Sequence, residues 1–397
     1  MIEWDARQRA LRDGFAEWHE RLGAQPSTDA EELCGGKWDA VRESGILRLP
    51  FDRRHGGLGE DLPTTMYVLE SLGHGCDDAG VSFSACTQMA STGVPLERFG
   101  SEELKQRYMR GVCDGRVVGA HAITEPQGGS DALGMETVAV EHGDHYLLTG
   151  TKAFVTNAPA ADVIVVYART RPEGGPFGLT AFVVDRATAG LHVGDPIPKM
   201  GLAGSPVSDV VLDGCRVSAK NVIARPGSGF LVLDHVMKWE ILCSFITSVG
   251  AMQRRLERCV DHARTREQFG RPIGSFQSVA NRIVDMKIAV DTARRWLYDT
   301  ALRVARGEDT TTDIAIAKLV ASEANVASAL AAVQIFGARG YTTACGLEAD
   351  LRDAVGGTIY SGTSEIQRNK IARMLGLGER ARAPSTALAE PIAGAAG

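Results

Sequence analysis

DVIVVYA, residues 162–168, decides the fold class, because it is a short run rich in β-branched residues that has the length of a strand. LTAFVV (residues 179–184) and DVVL (residues 209–212) have the same composition, and Gly, Pro and Asp residues lie between the runs. From about residue 116 to residue 223, no helical pattern separates these strands. The sequence therefore predicts an antiparallel β domain, a sandwich or a barrel, rather than a parallel sheet.

Helical patterns flank this β domain on both sides. Residues 1–115 have the pattern of helices broken by Gly- and Pro-rich turns, and one helix opens at Pro63. Long helical patterns return over residues 224–380, where the Ala-rich run Asp313–Phe336 stops at a glycine. Residues 381–397 are rich in Ala, Pro, Gly and Ser without any pattern, and we expect them to be a disordered tail.

Length and composition narrow the class of protein. The chain has 397 residues, more than one hydrophobic core usually serves, so several packed domains are expected. Acidic residues outnumber basic ones, 49 against 43, and the formal charge of -6 argues against a nucleic-acid surface. No secretory signal and no apolar run long enough to span a bilayer are evident, so we expect a cytoplasmic protein without membrane contact.

The cysteines suggest neither a metal site nor a redox dithiol. All 8 occur singly along the chain, and none forms a CxxC pair. We therefore expect reduced thiols that pack as small hydrophobic side chains, and no metal ligand set.

Two loops beside predicted strands carry groups suited to a ring-shaped ligand. In Ile123–Asp131 (ITEPQGGSD), a Pro-Gln-Gly-Gly turn exposes backbone N–H groups and two hydroxyls, which can hold an anionic or carbonyl-rich ring edge. In Gly150–Ala158 (GTKAFVTNA), Phe154 and Thr156 lie two residues apart in a strand-like run and should face the same side. Taken alone, the first motif is more typical of an ordinary hairpin loop, and the second is also compatible with a core Phe beside a surface Thr.

Together with Arg266–Ile273 (REQFGRPI) and Ile359–Arg368 (IYSGTSEIQR), these motifs resemble the signatures of the acyl-CoA dehydrogenase family. The resemblance runs in register from about residue 35 to residue 378. It implies an acyl-CoA dehydrogenase-like fold: an N-terminal α-helical domain, a central antiparallel β domain and a C-terminal four-helix bundle. It also implies FAD as cofactor and removal of hydrogen from Cα and Cβ of an acyl thioester.

The resemblance implies one set of flavin and substrate contacts near these motifs. Relatives usually carry Trp where Phe154 stands, a departure that keeps the aromatic ring. The implied cofactor contacts are Ile123, Thr124, Gly129, Ser130, Phe154, Thr156, Thr363 and Glu365. The implied substrate contacts are Ser130, Tyr360 and Ser361.

A second set matches positions that bind the adenosine-diphosphate half of FAD in the family. In relatives these groups reach the flavin of a neighbouring subunit, so the resemblance implies a homodimer or homotetramer. Ala338 departs from a usual Gly, whereas Arg266 supplies positive charge for a pyrophosphate. The set consists of Arg266, Gln268, Phe269, Gln277, Gln334 and Ala338.

The catalytic base is where the sequence departs from the common family pattern. Relatives commonly have Glu directly before Gly-Thr in the last motif, and here that position is Ser361, whose hydroxyl cannot take an α-proton unaided. Glu240 is the only charged residue between Trp239 and Gln253, and its helical neighbours offer no ionic partner. We therefore expect a partly desolvated carboxylate with a raised pKa. By resemblance, isovaleryl- and long-chain-type members carry their base at this position.

The resemblance also bears on the substrate. Ser361 would still supply a backbone N–H that polarises the thioester carbonyl together with a flavin ribityl hydroxyl.

The segments around Glu240 and Arg266 most resemble prolyl-carrier-protein dehydrogenases, which favours a thioester on an acyl or peptidyl carrier protein in specialised metabolism. Free acyl-CoA is the alternative. Ile241 stands where those relatives have Arg, so a prolyl group itself is not implied. Either oxygen or an electron-transfer flavoprotein would reoxidise the flavin.

Functions of other classes are open on the same fold. A flavin oxidase or monooxygenase would consume oxygen on a different substrate. A non-redox isomerase or cyclase would use the same α-proton abstraction and leave the flavin redox state unchanged. A non-catalytic scaffold would fail to retain FAD.

Overall fold

The N-terminal part of the protein is helical, as the sequence predicts. The structure is a computed structural model that describes residues 2–23 and 33–377, so the tail expected at 381–397 lies outside the described residues. Asp61 caps one helix by accepting from the Thr64 N–H, and Ser101 caps another through the Leu104 N–H. The helices are α1 (Ala6–Gly23), α2 (Trp38–Ser44), α3 (Leu62–Gly75), α4 (Ala79–Cys86), a π-helical segment (Thr87–Gly93), α5 (Val94–Phe99) and α6 (Glu102–Cys113).

The central part forms one eight-stranded sheet with the order β6-β7-β3-β2-β4-β5-β8, and β1 pairs with β4. The predicted antiparallel pairing holds for the hairpin partners. It does not hold where β4 meets β1 and the end of β2, because these strands are joined to β4 by crossovers and run parallel to it. The strands are β1 (Gly119–Ala122), β2 (Val138–His142), β3 (His145–Thr156), β4 (Val163–Arg169), β5 (Leu179–Asp185), β6 (Leu191–Val193), β7 (Val207–Ser218) and β8 (Val222–Ile223).

Strand β4 explains why its sequence is apolar throughout rather than alternating. Val165 and Tyr167 face the large core that the sheet shares with the helices. Ile164 and Val166 face a second core inside the β domain. A strand buried on both faces gives a continuous hydrophobic run, and the face that carries Tyr167 points toward the helices of the other two domains.

The C-terminal part is a helical bundle built on three long helices. The helix predicted at Asp313–Phe336 begins two residues earlier, at Thr311, and ends at Phe336 as predicted. It is long and apolar enough to cross a membrane by length and composition, but it packs against the other long helices. The elements are α7 (Gly229–Thr265), a hairpin of β9 (Glu267–Gln268) and β10 (Arg271–Pro272), α8 (Gln277–Ala305), α9 (Thr311–Phe336), α10 (Ala338–Tyr341), α11 (Leu347–Gly356) and α12 (Ser364–Met374).

Helix α7 is fixed against the N-terminal domain by a close contact with α3. A Cβ on Gly73 would lie 2.0 Å from the Thr247 carbonyl oxygen, and a Cβ on Gly250 would lie 2.1 Å from the Glu70 oxygen. Only glycine permits this separation of the two backbones. The position of α7, and of the side chains it carries, is therefore tightly defined.

The cysteines pack as predicted. All are free, and only Cys345 is partly exposed. Burial raises the pKa of the Cys243 thiol to about 12, which keeps it protonated and unreactive.

Candidate active site

Glu240 lies in α7 at the point where all three domains meet. Its Oε2 accepts a hydrogen bond from Ser91 Oγ at 2.8 Å, and its Oε1 accepts one from Ser361 Oγ at 2.5 Å. The side chain is 16% exposed. Burial raises the pKa of Glu240, although the two hydroxyls oppose that shift by stabilising the charged form. The direction is the one expected from the sequence, and it suits a group that must accept a proton.

Ser91 was not among the residues that the sequence singled out. It lies in the π-helical segment Thr87–Gly93, whose wider turn shifts the side chains relative to those of α4. The only local signal was a cluster of buried polar side chains in an otherwise apolar helical run, including Gln88 and Thr92. Ser91 itself is almost completely buried, so its hydroxyl serves the interior of the protein.

Ser361 reaches Glu240 from a tight turn ahead of α12. Its φ of 55° is unusual for a residue with a side chain, and Gly362 follows with a φ of 88°. Gln367 holds this turn, because its Nε2 donates to the carbonyls of Ser361 and Gly362 at 3.1 Å each. Thr363 caps α12 by accepting from the Ile366 N–H, so its hydroxyl has a structural partner.

The other titratable groups around Glu240 are uncharged near neutral pH. His121 Nδ1, on β1, lies 3.9 Å from Oε2, and the imidazole is 5% exposed. Burial, reinforced by the Lys152 ammonium, lowers the pKa of His121 to about 3. Burial raises the pKa of the Tyr167 and Tyr360 hydroxyls. The carboxylate of Glu240 therefore faces hydroxyls and a neutral imidazole rather than a cation.

A buried ion pair organises the loop that contains Thr124. Lys152 Nζ donates to Glu125 Oε1 at 2.9 Å and to the Ile123 carbonyl at 3.1 Å. Glu125 also accepts from the backbone N–H of Thr137 at 2.9 Å. Burial alone would raise the pKa of Glu125, but these hydrogen bonds lower it to about 2. Both residues lie inside the two motifs near the predicted strands, but nothing in the sequence indicates that they pair.

The strand that carries Phe154 is less regular than expected. The register with β7 shifts between Lys152 and Val155, and Phe154 has a φ of 55°. The strand is therefore interrupted next to Phe154, because a bulge lies between the ladder pairs of Lys152 and Val155, and the shared face of Phe154 and Thr156 stays a prediction. The bulge leaves the Phe154 ring 64% exposed. The Ala153 N–H donates to the Thr124 carbonyl at 2.8 Å, which joins the two motifs directly.

The residues expected to bind the adenosine-diphosphate half lie elsewhere on the chain. Arg266 follows the end of α7, 26 residues after Glu240 (266 minus 240), which corresponds to about 39 Å of helix. The ring of Phe269, at the tip of the β9–β10 hairpin, is 92% exposed. Arg266, Gln268, Gln277, Gln334 and Ala338 are exposed as well. One chain does not bring this set to the surroundings of Glu240.

The chain belongs to the acyl-CoA dehydrogenase family. The family's N-terminal domain matches residues 5–116, its middle domain residues 120–215 and its C-terminal domain residues 227–376. The predicted fold class and family resemblance are thereby confirmed.

Among similar proteins is the L-prolyl-[peptidyl-carrier protein] dehydrogenase of Pseudomonas fluorescens, which is 39% identical over 90% of this chain and 94% of its own. The solved prolyl acyl carrier protein oxidase AnaB is 38% identical, with a TM-score of 0.91 over 94% of this chain and 100% of its own. PigA, solved with FAD and proline, is 36% identical, with a TM-score of 0.89 over 95% of this chain and 99% of its own.

Proposed function

We propose that the protein catalyses FAD-dependent α,β-dehydrogenation of an acyl thioester, with Glu240 as the base that removes the α-proton. The observation that carries this proposal is the Glu240 carboxylate itself. Its side chain is only 16% exposed, has a raised pKa and accepts hydrogen bonds from Ser91 and Ser361, which come from the N-terminal and C-terminal domains. A carboxylate buried at this cost, without a cation beside it, is typical of a general base rather than of a structural ion pair.

The residues around the 123–131 loop fit the flavin end of FAD. Thr124 and Ser130 offer hydroxyls, and the exposed ring of Phe154 lies on the adjoining strand. A planar ring system packs well against an exposed aromatic face, and hydroxyl and N–H donors suit its carbonyl edge. The buried Lys152–Glu125 pair supports this loop from behind. FAD, when bound, accepts the hydride that leaves Cβ of the substrate.

The chain's own groups would supply the acid–base part of the reaction. Glu240 takes the α-proton, and the neutral surroundings leave its carboxylate without a competing cation. The backbone N–H of Ser361 would donate to the thioester oxygen, where negative charge develops as the proton leaves. The turn held by Gln367 keeps that donor rigid. Tyr360, packed against Phe83 with ring centroids 4.6 Å apart, would border the acyl group.

A carrier-protein thioester is the substrate class that we favour over free acyl-CoA. Support comes from the relatives named above, of which the Pseudomonas enzyme acts on a prolyl group on a peptidyl carrier protein. Ile241 is buried next to the base in this chain, where the resemblance expects Arg. The loss of that cation argues for an acyl group other than prolyl.

We also propose that the working unit is at least a homodimer. The adenosine-diphosphate set around Arg266 begins about 39 Å along α7 from Glu240, and its side chains are exposed rather than turned toward this chain's own flavin loop. A neighbouring copy would bring its Arg266 and Phe269 to this chain's flavin loop. Contact with the neighbour would also cover the exposed Phe269 ring, whose burial would favour association.

Anaerobic loss of the oxidised flavin absorbance tests the proposed function. The FAD-loaded protein is mixed with parallel panels of acyl thioesters, one on CoA and one on holo carrier protein, with matched acyl groups. We expect the carrier-bound panel to reduce the flavin faster. Faster reduction by the CoA panel would reverse the choice of carrier. No reduction by either panel, combined with rapid oxygen consumption on an amine or nitroalkane, would overturn the dehydrogenase proposal. Reoxidation in air, compared with an electron-transfer flavoprotein, identifies the acceptor.

A further inference from the structure

The two carboxylate oxygens of Glu240 lie in different surroundings. Oε2 accepts from Ser91 Oγ at 2.8 Å and has His121 Nδ1 at 3.9 Å. The side chains of Ser91 and His121 are buried, so this side of the carboxylate is closed. Oε1 accepts from Ser361, which is only half-buried and lies in the motif expected to contact substrate. Of the two oxygens, Oε1 is therefore the one on the side from which an acyl group would approach.

We propose that Ser91 is a positioning residue that holds Oε2, that Oε1 is the atom that takes the α-proton, and that the Ser361 hydroxyl occupies Oε1 until the acyl group displaces it. This inference rests on the proposed function, and it adds an assignment of roles to the two hydroxyls. Ser91 stays bonded throughout the reaction. Ser361 exchanges its side-chain contact for the substrate while its backbone N–H remains in place.

The electrostatics of the pocket explain why Ser91 matters. The titratable groups that face Glu240 come from α4, β1, β4 and the turn before α12, and each is uncharged near neutral pH. They are Cys86, His121, Tyr167 and Tyr360. The Lys152 ammonium, which acts on the neighbouring His121, is itself paired with the Glu125 carboxylate. The hydroxyls of Ser361 and Ser91 are then the local contacts that stabilise the charged form of the carboxylate, and Ser91 is the one that remains when the acyl group takes the place of Ser361.

The test compares single variants of the two serines in anaerobic stopped-flow reduction by the thioester that reduces the wild type. Ser91→Ala should lower the limiting rate of flavin reduction about tenfold, with the half-saturating substrate concentration nearly unchanged. It should also move the midpoint of the pH–rate profile upward, because the carboxylate loses a stabilising donor. Ser91→Cys, which keeps the volume and a weaker donor, should fall between Ser91→Ala and wild type.

Ser361→Gly should change mainly the half-saturating substrate concentration rather than the limiting rate. Glycine keeps the backbone N–H, suits the φ of 55° and removes only the hydroxyl. We expect the half-saturating concentration to fall about threefold or more, because the substrate no longer displaces a hydrogen bond, and the limiting rate to change less than in Ser91→Ala. Binding of the unsaturated product thioester, followed by the flavin spectrum, should tighten in parallel.

Ser84→Ala is the matched control, since Ser84 is a buried serine of the neighbouring α4 that does not contact Glu240. Its limiting rate should stay within about twofold of wild type. A Ser91→Ala protein that behaves like this control would overturn the inference. So would a Ser361→Gly protein that loses limiting rate as strongly as Ser91→Ala. If no thioester reduces the flavin of the wild type, the proposed function is wrong, and this inference is wrong with it.

Discussion

Two regions of the molecule carry the expected cofactor chemistry, and they differ in how complete they are within one chain. Around Glu240, side chains from three domains of the same chain meet, and this proposed base accepts hydrogen bonds on both oxygens. Around Phe269, the side chains are exposed and contact little else of their own chain. The first region is assembled by folding, whereas the second would become a binding site only when another copy supplies the flavin. On the proposed function, the difference would separate residues that set the reaction from residues that set assembly and cofactor retention.

The largest expected effect is the loss of stability when the buried ion pair of Lys152 and Glu125 is broken. Lys152→Met leaves the Glu125 carboxylate buried without its cation, so the free energy of unfolding should fall by about 3–5 kcal/mol. Thermal and denaturant unfolding of the purified protein measure it. Lys220→Met, which breaks an exposed pair with Glu103, is the control and should change the unfolding midpoint little. Equal losses in both variants would show that burial of the Lys152–Glu125 pair is unimportant.

Acidification should slow flavin reduction by protonating the Glu240 carboxylate. Only the ionised carboxylate accepts a proton, and its pKa is raised by burial, so activity should fall as pH drops through a midpoint above that of an ordinary Glu. Below that midpoint, the rate of flavin reduction should fall about tenfold per pH unit. The measurement is the limiting reduction rate across a pH series at constant ionic strength. A midpoint at or below the ordinary value would contradict the burial argument.

The exposed region should respond differently. Phe269→Ser removes an apolar ring from the surface, so the stability of the separate chain should hardly change, while FAD retention and self-association should weaken several-fold. Sedimentation and the flavin-to-protein absorbance ratio report the two effects together. Val140→Ser, at another exposed apolar position on β2, is the control and should alter neither. Loss of folding in Phe269→Ser, without any change in assembly, would remove the distinction between the two regions.

The smallest expected effect concerns the turn that carries Ser361. Thr363→Ala removes the N-cap of α12 and should destabilise the protein by about 1 kcal/mol. Differential scanning calorimetry of the FAD-loaded protein measures the shift. Thr363→Ser keeps the capping hydroxyl and should restore the wild-type transition. If Thr363→Ala lost most of its FAD while its unfolding transition shifted only slightly, the Thr363 hydroxyl would also contact the cofactor.

The sequence predicted the features that have local signals. The β-branched runs gave the position of β4 and β5, and a single carboxylate in an apolar helix identified Glu240. Contacts between distant residues were out of reach. Ser91 and Glu240 are separated by 149 positions, and a π-helical turn aims the serine at the carboxylate. No periodicity in the sequence reports such a turn.

Backbone irregularity explains the remaining differences. The expected alternation of Phe154 and Thr156 assumed a regular strand, but the bulge next to Lys152 depends on how β3 pairs with β7. Lys152 and Glu125 lie 27 positions apart in two motifs, and only the sheet brings them together. The pairing of β1 with β4 likewise follows from the crossovers of the complete fold.

The role of Glu240 as the base is tested by the rate of anaerobic flavin reduction in Glu240→Gln beside the wild type, with both proteins fully loaded with FAD. Glutamine keeps the size of the side chain and hydrogen-bonding capacity but cannot act as the base. We expect the variant to retain FAD and to bind the product thioester, yet its flavin should be reduced about 10²–10⁴-fold more slowly. Reduction at the wild-type rate would show that a group other than Glu240 removes the α-proton.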